Sequence, residues 1–304
     1  GNLAGHPAVL WYGGKLAAAL LVAGSAVFVF LAALLFVRSR QALLIALAYG
    51  LGTCVWSISS QALWQHGPNA FFLAMGSYFF LRHQQQRRFA VLSGLAFSGA
   101  VCCRPSSAVM VAIIGLFLLL TQRRALVRFV AGGLPLAVLQ LVYNLHHFGS
   151  VLTTGQGLRG PSVALAKTGV AAVWQTPLWK GFLGLMISPS RGLLVFSPFL
   201  VFALWGIVRI WRQGEKAAGL QVLSLGMASL LLMQFKWFDW WGGYTYGYRP
   251  IVDAMPLLAL FLVAVIDQVG RSFVLRGLFG LFLGWAIVVQ LIGAFAYNER
   301  DWNT

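Results

Sequence analysis

The sequence predicts an all-α, polytopic helical membrane protein with about ten transmembrane helices and short interfacial helices in its external loops. Three observations carry that expectation. Of the 304 residues, 60% are hydrophobic and only 9% are charged, with a mean hydropathy of +0.81. Soluble domains carry about 25% charged residues, so an ordinary soluble fold is excluded. Apolar runs of bilayer length, or close to it, recur along the whole chain. Arg and Lys fall in short clusters in every second connection between those runs, the pattern of topology signals.

The runs lie at 16–37, 41–60, 68–81, 89–103, 106–120, 129–146, 192–208, 217–235, 250–266 and 273–296. Each is expected to be helical, because backbone exposed to lipid must satisfy its hydrogen bonds internally. The third, fourth and fifth are the shortest. Arg38 and Arg40 follow the first run, Arg82, Arg87 and Arg88 the third, and Arg123, Arg124 and Arg128 the fifth. Arg209, Arg212 and Lys216 follow the seventh, and Arg271 and Arg276 separate the ninth from the tenth. Alternating spans put all of these on one side, which the positive-inside rule makes cytoplasmic. Both ends of the chain are then expected outside the cytoplasmic membrane. The external connections are 61–69, 147–191, 236–249 and the tail 297–304. Within the long one, 170–186 mixes Trp174, Trp179 and Lys180 with apolar residues, as an interfacial helix would. No repeat or soluble second domain is visible.

Composition also bounds the partners. The formal charge of +16 does not point to nucleic acid, because the cations are dispersed among apolar runs. Cys54, Cys102 and Cys103 form no CxxC pair, and His146-His147 point apart on a helix, so no metal is expected. Gly155-Gln156-Gly157 follows no strand and is no dinucleotide fingerprint. No cofactor is expected.

The densest chemistry lies in Lys236-Trp237-Phe238-Asp239-Trp240-Trp241-Gly242-Gly243-Tyr244-Thr245-Tyr246-Gly247-Tyr248-Arg249-Pro250, where seven of fifteen residues are aromatic. Flat rings, permissive glycines and a planar guanidinium suit a sugar or a lipid head group. An interfacial aromatic belt is the other reading of the same residues. External cations include Arg104, Arg159, Lys167, Lys180, Arg191, Lys236 and Arg249, and few acids offset them. Such a field suits a phosphate-bearing, lipid-linked ligand, or simply anionic membrane lipids. Arg191, in Ser188-Pro189-Ser190-Arg191-Gly192, stands at an expected helix start that favours anions. His66, in the turn Trp64-Gln65-His66-Gly67-Pro68-Asn69, could act as acid, base or donor. Asp253 is expected to pair with Arg249 at i,i+4, and Asp267 with Arg271. All six carboxylates (Glu215, Asp239, Asp253, Asp267, Glu299 and Asp301) follow residue 214. The candidates for proton transfer are therefore few, with Asp239 and His66 foremost among them.

Ser188-Pro189-Ser190-Arg191-Gly192-Leu193-Leu194-Val195-Phe196-Ser197-Pro198, Trp240-Trp241-Gly242-Gly243 and Tyr246-Gly247-Tyr248-Arg249-Pro250 resemble segments of bacterial GT-C-class polytopic glycosyltransferases, the family-39, mannosyltransferase-like group. Thr53, Trp56-Ser57 and Ser60-Gln61-Ala62-Leu63-Trp64-Gln65-His66-Gly67-Pro68 fit the same group. The resemblance implies sugar transfer from a polyprenyl-phosphate donor on the outer side of the membrane. Arg249 and Arg191 would then meet phosphate, Trp240, Trp241, Tyr244 and Tyr248 would surround sugar or lipid, and Lys236, Arg159 and Arg104 would add charge. Asp239 would orient a hydroxyl or pair with Lys236. The family places a catalytic acid in the first external loop, after an initial helix. No acid precedes Glu215 and the chain starts at Gly1, so the expectation is a chain without that helix and loop. A transporter or flippase for lipid-linked sugars and a non-catalytic lipid-phosphate-binding subunit are the alternatives.

Overall fold

The computed structural model describes residues 7–155 and 173–297. Among them the secondary structure is helix and turn throughout, so the all-α expectation stands. The α-helices of six or more residues are α1 (Pro7–Ala33), α2 (Ser39–Gly52), α3 (His66–His83), α4 (Phe89–Cys103), α5 (Ala108–Thr121), α6 (Arg123–Phe148), α7 (Leu178–Ile187), α8 (Val201–Arg212), α9 (Ala218–Lys236), α10 (Met255–Leu260), α11 (Ile266–Arg271) and α12 (Phe273–Phe295).

The count of ten membrane spans is not reproduced. Among the described residues four helical stretches are long and apolar enough to cross a bilayer: Ala8–Ala33, Arg123–Phe148, Gly214–Lys236 and Phe273–Phe295. The rest of the expected spans are shorter or broken, and the cause is local. The run at 41–60 leaves α-geometry at Thr53, whose backbone is extended, and continues as a π-helical turn, Val55–Ser59. The run at 192–208 is interrupted at Ser197-Pro198, where the proline cannot donate to the preceding turn. The run at 250–266 is a chain of short pieces: a 3₁₀ stretch Arg249–Ala254, then α10, then a second 3₁₀ turn Phe261–Ala264. The long apolar helices still mark a membrane protein.

Packing follows from where small residues fall. Helix α3 lies between α1 and α4, and α4 lies against α6. Gly94 of α4 and Gly132 of α6 rest directly on each other's helix backbones, at Phe129 and Val91 respectively, leaving no room for a Cβ on either. Close approach through small residues is how helices associate where lipid supplies no hydrophobic drive. On the other flank α9 packs against α5 and α7, and α12 against α2 and the π-helical turn. The broken segment occupies the centre, with every residue from Pro250 to Val263 buried. Irregular backbone at that depth is tolerated because protein rather than lipid surrounds it.

The two ends of the bundle are built differently. Connections carrying the basic clusters meet at one end: Gln41 Nε2 donates to Asp267 Oδ1 at 2.6 Å, and His83 Nε2 lies 3.2 Å from Gln122 Oε1. Asp267 therefore binds Gln41, not Arg271 as expected; the two lie on one short helix, and it is α2 that brings a donor within reach. The starts of α3 and α5, the ends of α4 and α9, and the segment 237–249 gather at the other end.

Candidate functional site

At that second end a cavity of about 520 Å³ opens between α3, α4, α9 and the head of the central segment. Its apolar lining includes Leu230, Leu231 and Met233 of α9 and the rings of Trp174 and Trp237. Its polar lining includes Gln65, His66, Arg104, Asp239, Arg249 and Asp253. These side chains come from four separate parts of the chain.

Local structure explains their placement. Pro105 opens the 3₁₀ turn before α5, so α4 must stop at Cys103, and the extended backbone of Arg104 sends that residue out of the helix axis. His66 is the first residue of α3 rather than part of a free turn, and it is buried. Arg249 opens the central 3₁₀ stretch beside Pro250.

Asp253 corrects the sequence reading. It forms an ion pair with Arg104, Nη1 to Oδ2, and its Oδ1 lies 3.2 Å from His66 Nδ1. The expected pairing with Arg249 assumed α-helical spacing. In a 3₁₀ turn of about three residues, position i+4 rotates onto a different face, which turns Asp253 away from Arg249. The same His66 nitrogen lies 3.0 Å from Arg104 Nη1. Gln65, Trp174, Trp237 and Asp253 also line the cavity and were not among the residues expected to bind ligand; an aspartate at the head of a long apolar run was the available signal for the last.

Arg249 donates through Nη2 to the Gly242 carbonyl, and its guanidinium stacks over Trp64 at 5.2 Å. Gly242 and Gly243 both have positive φ, 78° and 70°, so the bend that brings Asp239 and Gly242 to the cavity needs glycine. Burial pushes the Asp239 carboxyl above its ordinary range, while the Arg249 and Arg191 guanidiniums pull it back. These arginines, not Lys236, are the charges that act on Asp239; no Lys236–Asp239 ion pair occurs among the described residues.

Several expected ligand-binding residues turn out to hold the loop instead. Arg191 is buried, donates through Nη1 to the Thr245 carbonyl at 3.1 Å, and lies over Trp241 at 5.2 Å. Trp240 fills the space left by Gly184 of α7. Tyr248 is fully buried, accepting from the Cys54 backbone N–H at 3.1 Å and lying 2.6 Å from Ser197 Oγ. Its hydroxyl is consumed in tying the loop to the break after α2, because a buried phenol must find partners. Tyr244 is exposed and stands edge-on to Trp241, away from the cavity. Lys236 ends α9, and its carbonyl accepts from Thr176 N–H at 3.3 Å. Arg159 lies outside the described residues. Of the residues expected from the sequence, His66, Arg104, Asp239 and Arg249 meet at one cavity. No group of three or more potential metal ligands occurs among the described residues.

No protein-family model matches this chain, and no curated protein or solved structure is detectably similar to it. The functional reading therefore rests on the residues and the geometry alone.

Proposed function

We propose that the chain is the membrane-embedded body of a GT-C-like glycosyltransferase that takes its sugar from a polyprenyl-phosphate donor on the outer side of the cytoplasmic membrane. The observation that supports this most is the mixed lining of the cavity: two guanidiniums and two carboxylates together with aromatic and aliphatic side chains. A lipid-linked phosphosugar has the same mixture, an anion and hydroxyls joined to a hydrocarbon chain. Arg249 is the group for phosphate. It offers a planar fork of donors beside the cavity, and Trp64 behind it holds the fork in place. Asp239, next to it, keeps Arg249 oriented when no anion is bound. Trp237 and Trp174, edge to face at 5.2 Å, supply ring faces on which a sugar or the first isoprene can rest. In the transfer, the acceptor hydroxyl oxygen bonds to the anomeric carbon as the bond from that carbon to phosphate oxygen breaks. The electron pair leaves on the lipid phosphate, where Arg249 meets the added charge.

The test is transfer from a polyprenyl-phosphate sugar by the full-length protein in bilayers. Arg249→Ala abolishes it on this reading, and unchanged turnover removes Arg249 from the site. One feature favours a second reading, a flippase for the same lipids: the proline-broken central segment is of the kind found in transporters. Movement of a lipid-linked sugar across proteoliposomes without transfer would select it.

A further inference from the structure

We propose that His66 is the proton acceptor of the cavity and that Asp253 is its positioning residue, holding the imidazole as the Nδ1–H tautomer and leaving the Nε2 lone pair for a ligand hydroxyl. This assignment rests on the glycosyl-transfer reading above and adds to it the group that takes the proton.

The geometry sets a choice. His66 Nδ1 lies 3.2 Å from Asp253 Oδ1 and 3.0 Å from Arg104 Nη1. It cannot both donate to the first and accept from the second. Arg104 Nη1 carries two N–H groups, one of which donates to Asp253 Oδ2. Among the described residues His66 Nδ1 is the group seen within hydrogen-bond distance of Asp253 Oδ1; the Asn69 side chain also acts on this carboxyl, but its Nδ2 makes no hydrogen bond, and the Asp253 side chain is only 8% exposed. A buried carboxylate oxygen left without a donor costs more than an imidazole lone pair left without one, because it carries charge. The proton therefore belongs on Nδ1. The ring is buried at the start of α3 and lines the cavity, and no bond to Nε2 occurs among the described residues.

The arrangement repeats the logic of an acid–base pair. Asp253 fixes the imidazole's tautomer and orientation and balances the imidazolium that forms when Nε2 takes a proton. Arg104 keeps Asp253 ionised and denies it the role of base. The groups that face His66 are thus Arg104 from the end of α4, Asp253 from the central segment and Arg249 from its head. In the reaction the hydroxyl proton passes to Nε2 while the hydroxyl oxygen bonds to the anomeric carbon and the lipid phosphate departs. A neutral base suits this site, since it needs no counter-ion before the reaction begins.

The experiment uses full-length protein labelled with ¹³C,¹⁵N-histidine in phosphatidylcholine bilayers at about pH 8, above the ordinary histidine range. His66→Gln identifies the His66 signals by their loss. Solid-state NMR of the wild type is expected to show a protonated Nδ1 and a bare Nε2 for His66. In Asp253→Asn the amide can donate to Nδ1, and the tautomer is expected to invert to Nε2–H. A wild-type Nε2–H tautomer overturns the proposal, and this holds even where Asp253→Asn does not fold. With the prenyl-phosphate sugar as donor, His66→Gln is expected to lower transfer by about 10²–10⁴-fold. In Asp253→Asn the acid limb of the pH–rate profile moves, which a purely structural residue would not do. A correct tautomer with undiminished transfer by His66→Gln overturns the proton step alone. A correct tautomer with no transfer by the wild type overturns the glycosyl-transfer reading and leaves the Asp253–His66 pair in place.

Discussion

At the residue scale the chemistry depends on which charges neutralise one another. Asp253 is held between Arg104 and His66, whereas the charges acting on Asp239 are those of Arg249 and Arg191. Removing one partner of a buried ion pair costs about 3–5 kcal/mol, because the other charge is left stranded. Asp253→Ala should therefore lower the thermal midpoint of the detergent-solubilised protein by several degrees, and Arg104→Ala should do the same. The double change to two apolar residues should recover part of the loss. Asp239 behaves differently with pH. Its carboxyl binds a proton more readily when folded than when unfolded, so between its ordinary and raised values the folded state holds more protons. Stability from this group is thus present below its ordinary pKa and is lost as pH rises through the raised value. Asp239→Asn should flatten that acid-side fall in a pH series of unfolding midpoints.

At the element scale the loop 237–249 is shaped by a helix that sequence pattern already suggested. The interfacial helix read at 170–186 has its described counterpart in α7, with Trp179 and Phe182 exposed on one side. Its other side was not legible. Gly181 receives the backbone of Phe235 and Gly184 the ring of Trp240, so a spacing of three glycine-to-glycine residues is a socket for the loop. Gly184→Val should expel Trp240 and loosen the loop. Trp240 would become accessible to an aqueous fluorescence quencher, while Gly277→Val, at an open position on α12, should leave it protected. The same comparison separates what could be read from what could not. Periodicity and hydropathy located nearly every helix, and Pro105 fixed the end of α4. Whether an aromatic residue meets ligand or core depends on long-range partners: Tyr248 and Ser197 are 51 residues apart, and no local pattern joins them. His66 and Asp253, 187 residues apart, are hidden for the same reason. Arg249 stood out as a cation in an aromatic, glycine-rich loop, and it lines the cavity.

For the whole molecule, the segregation of charge between two ends is the feature with the widest reach. The basic connections meet at one end, and the cavity opens at the other. Cysteine substitutions in a variant lacking Cys54, Cys102 and Cys103 test the orientation. Labels at Arg40, Arg87 and Arg212 should react with an impermeant maleimide only in inside-out vesicles, and one at Gly243 only in intact cells. Labelling of both groups from one side would rule out the alternating arrangement. The central position of 250–263 bears on how the protein is made. Of the twelve described α-helices of six or more residues, nine, α1 to α9, are synthesised before that segment leaves the ribosome. Among them are the helices it packs against, α1, α2, α3, α8 and α9. Its prolines and its aspartate make it a poor candidate to enter lipid unaided. Its partners must therefore part to admit it, and the assembled cavity is a late event in the life of the nascent chain.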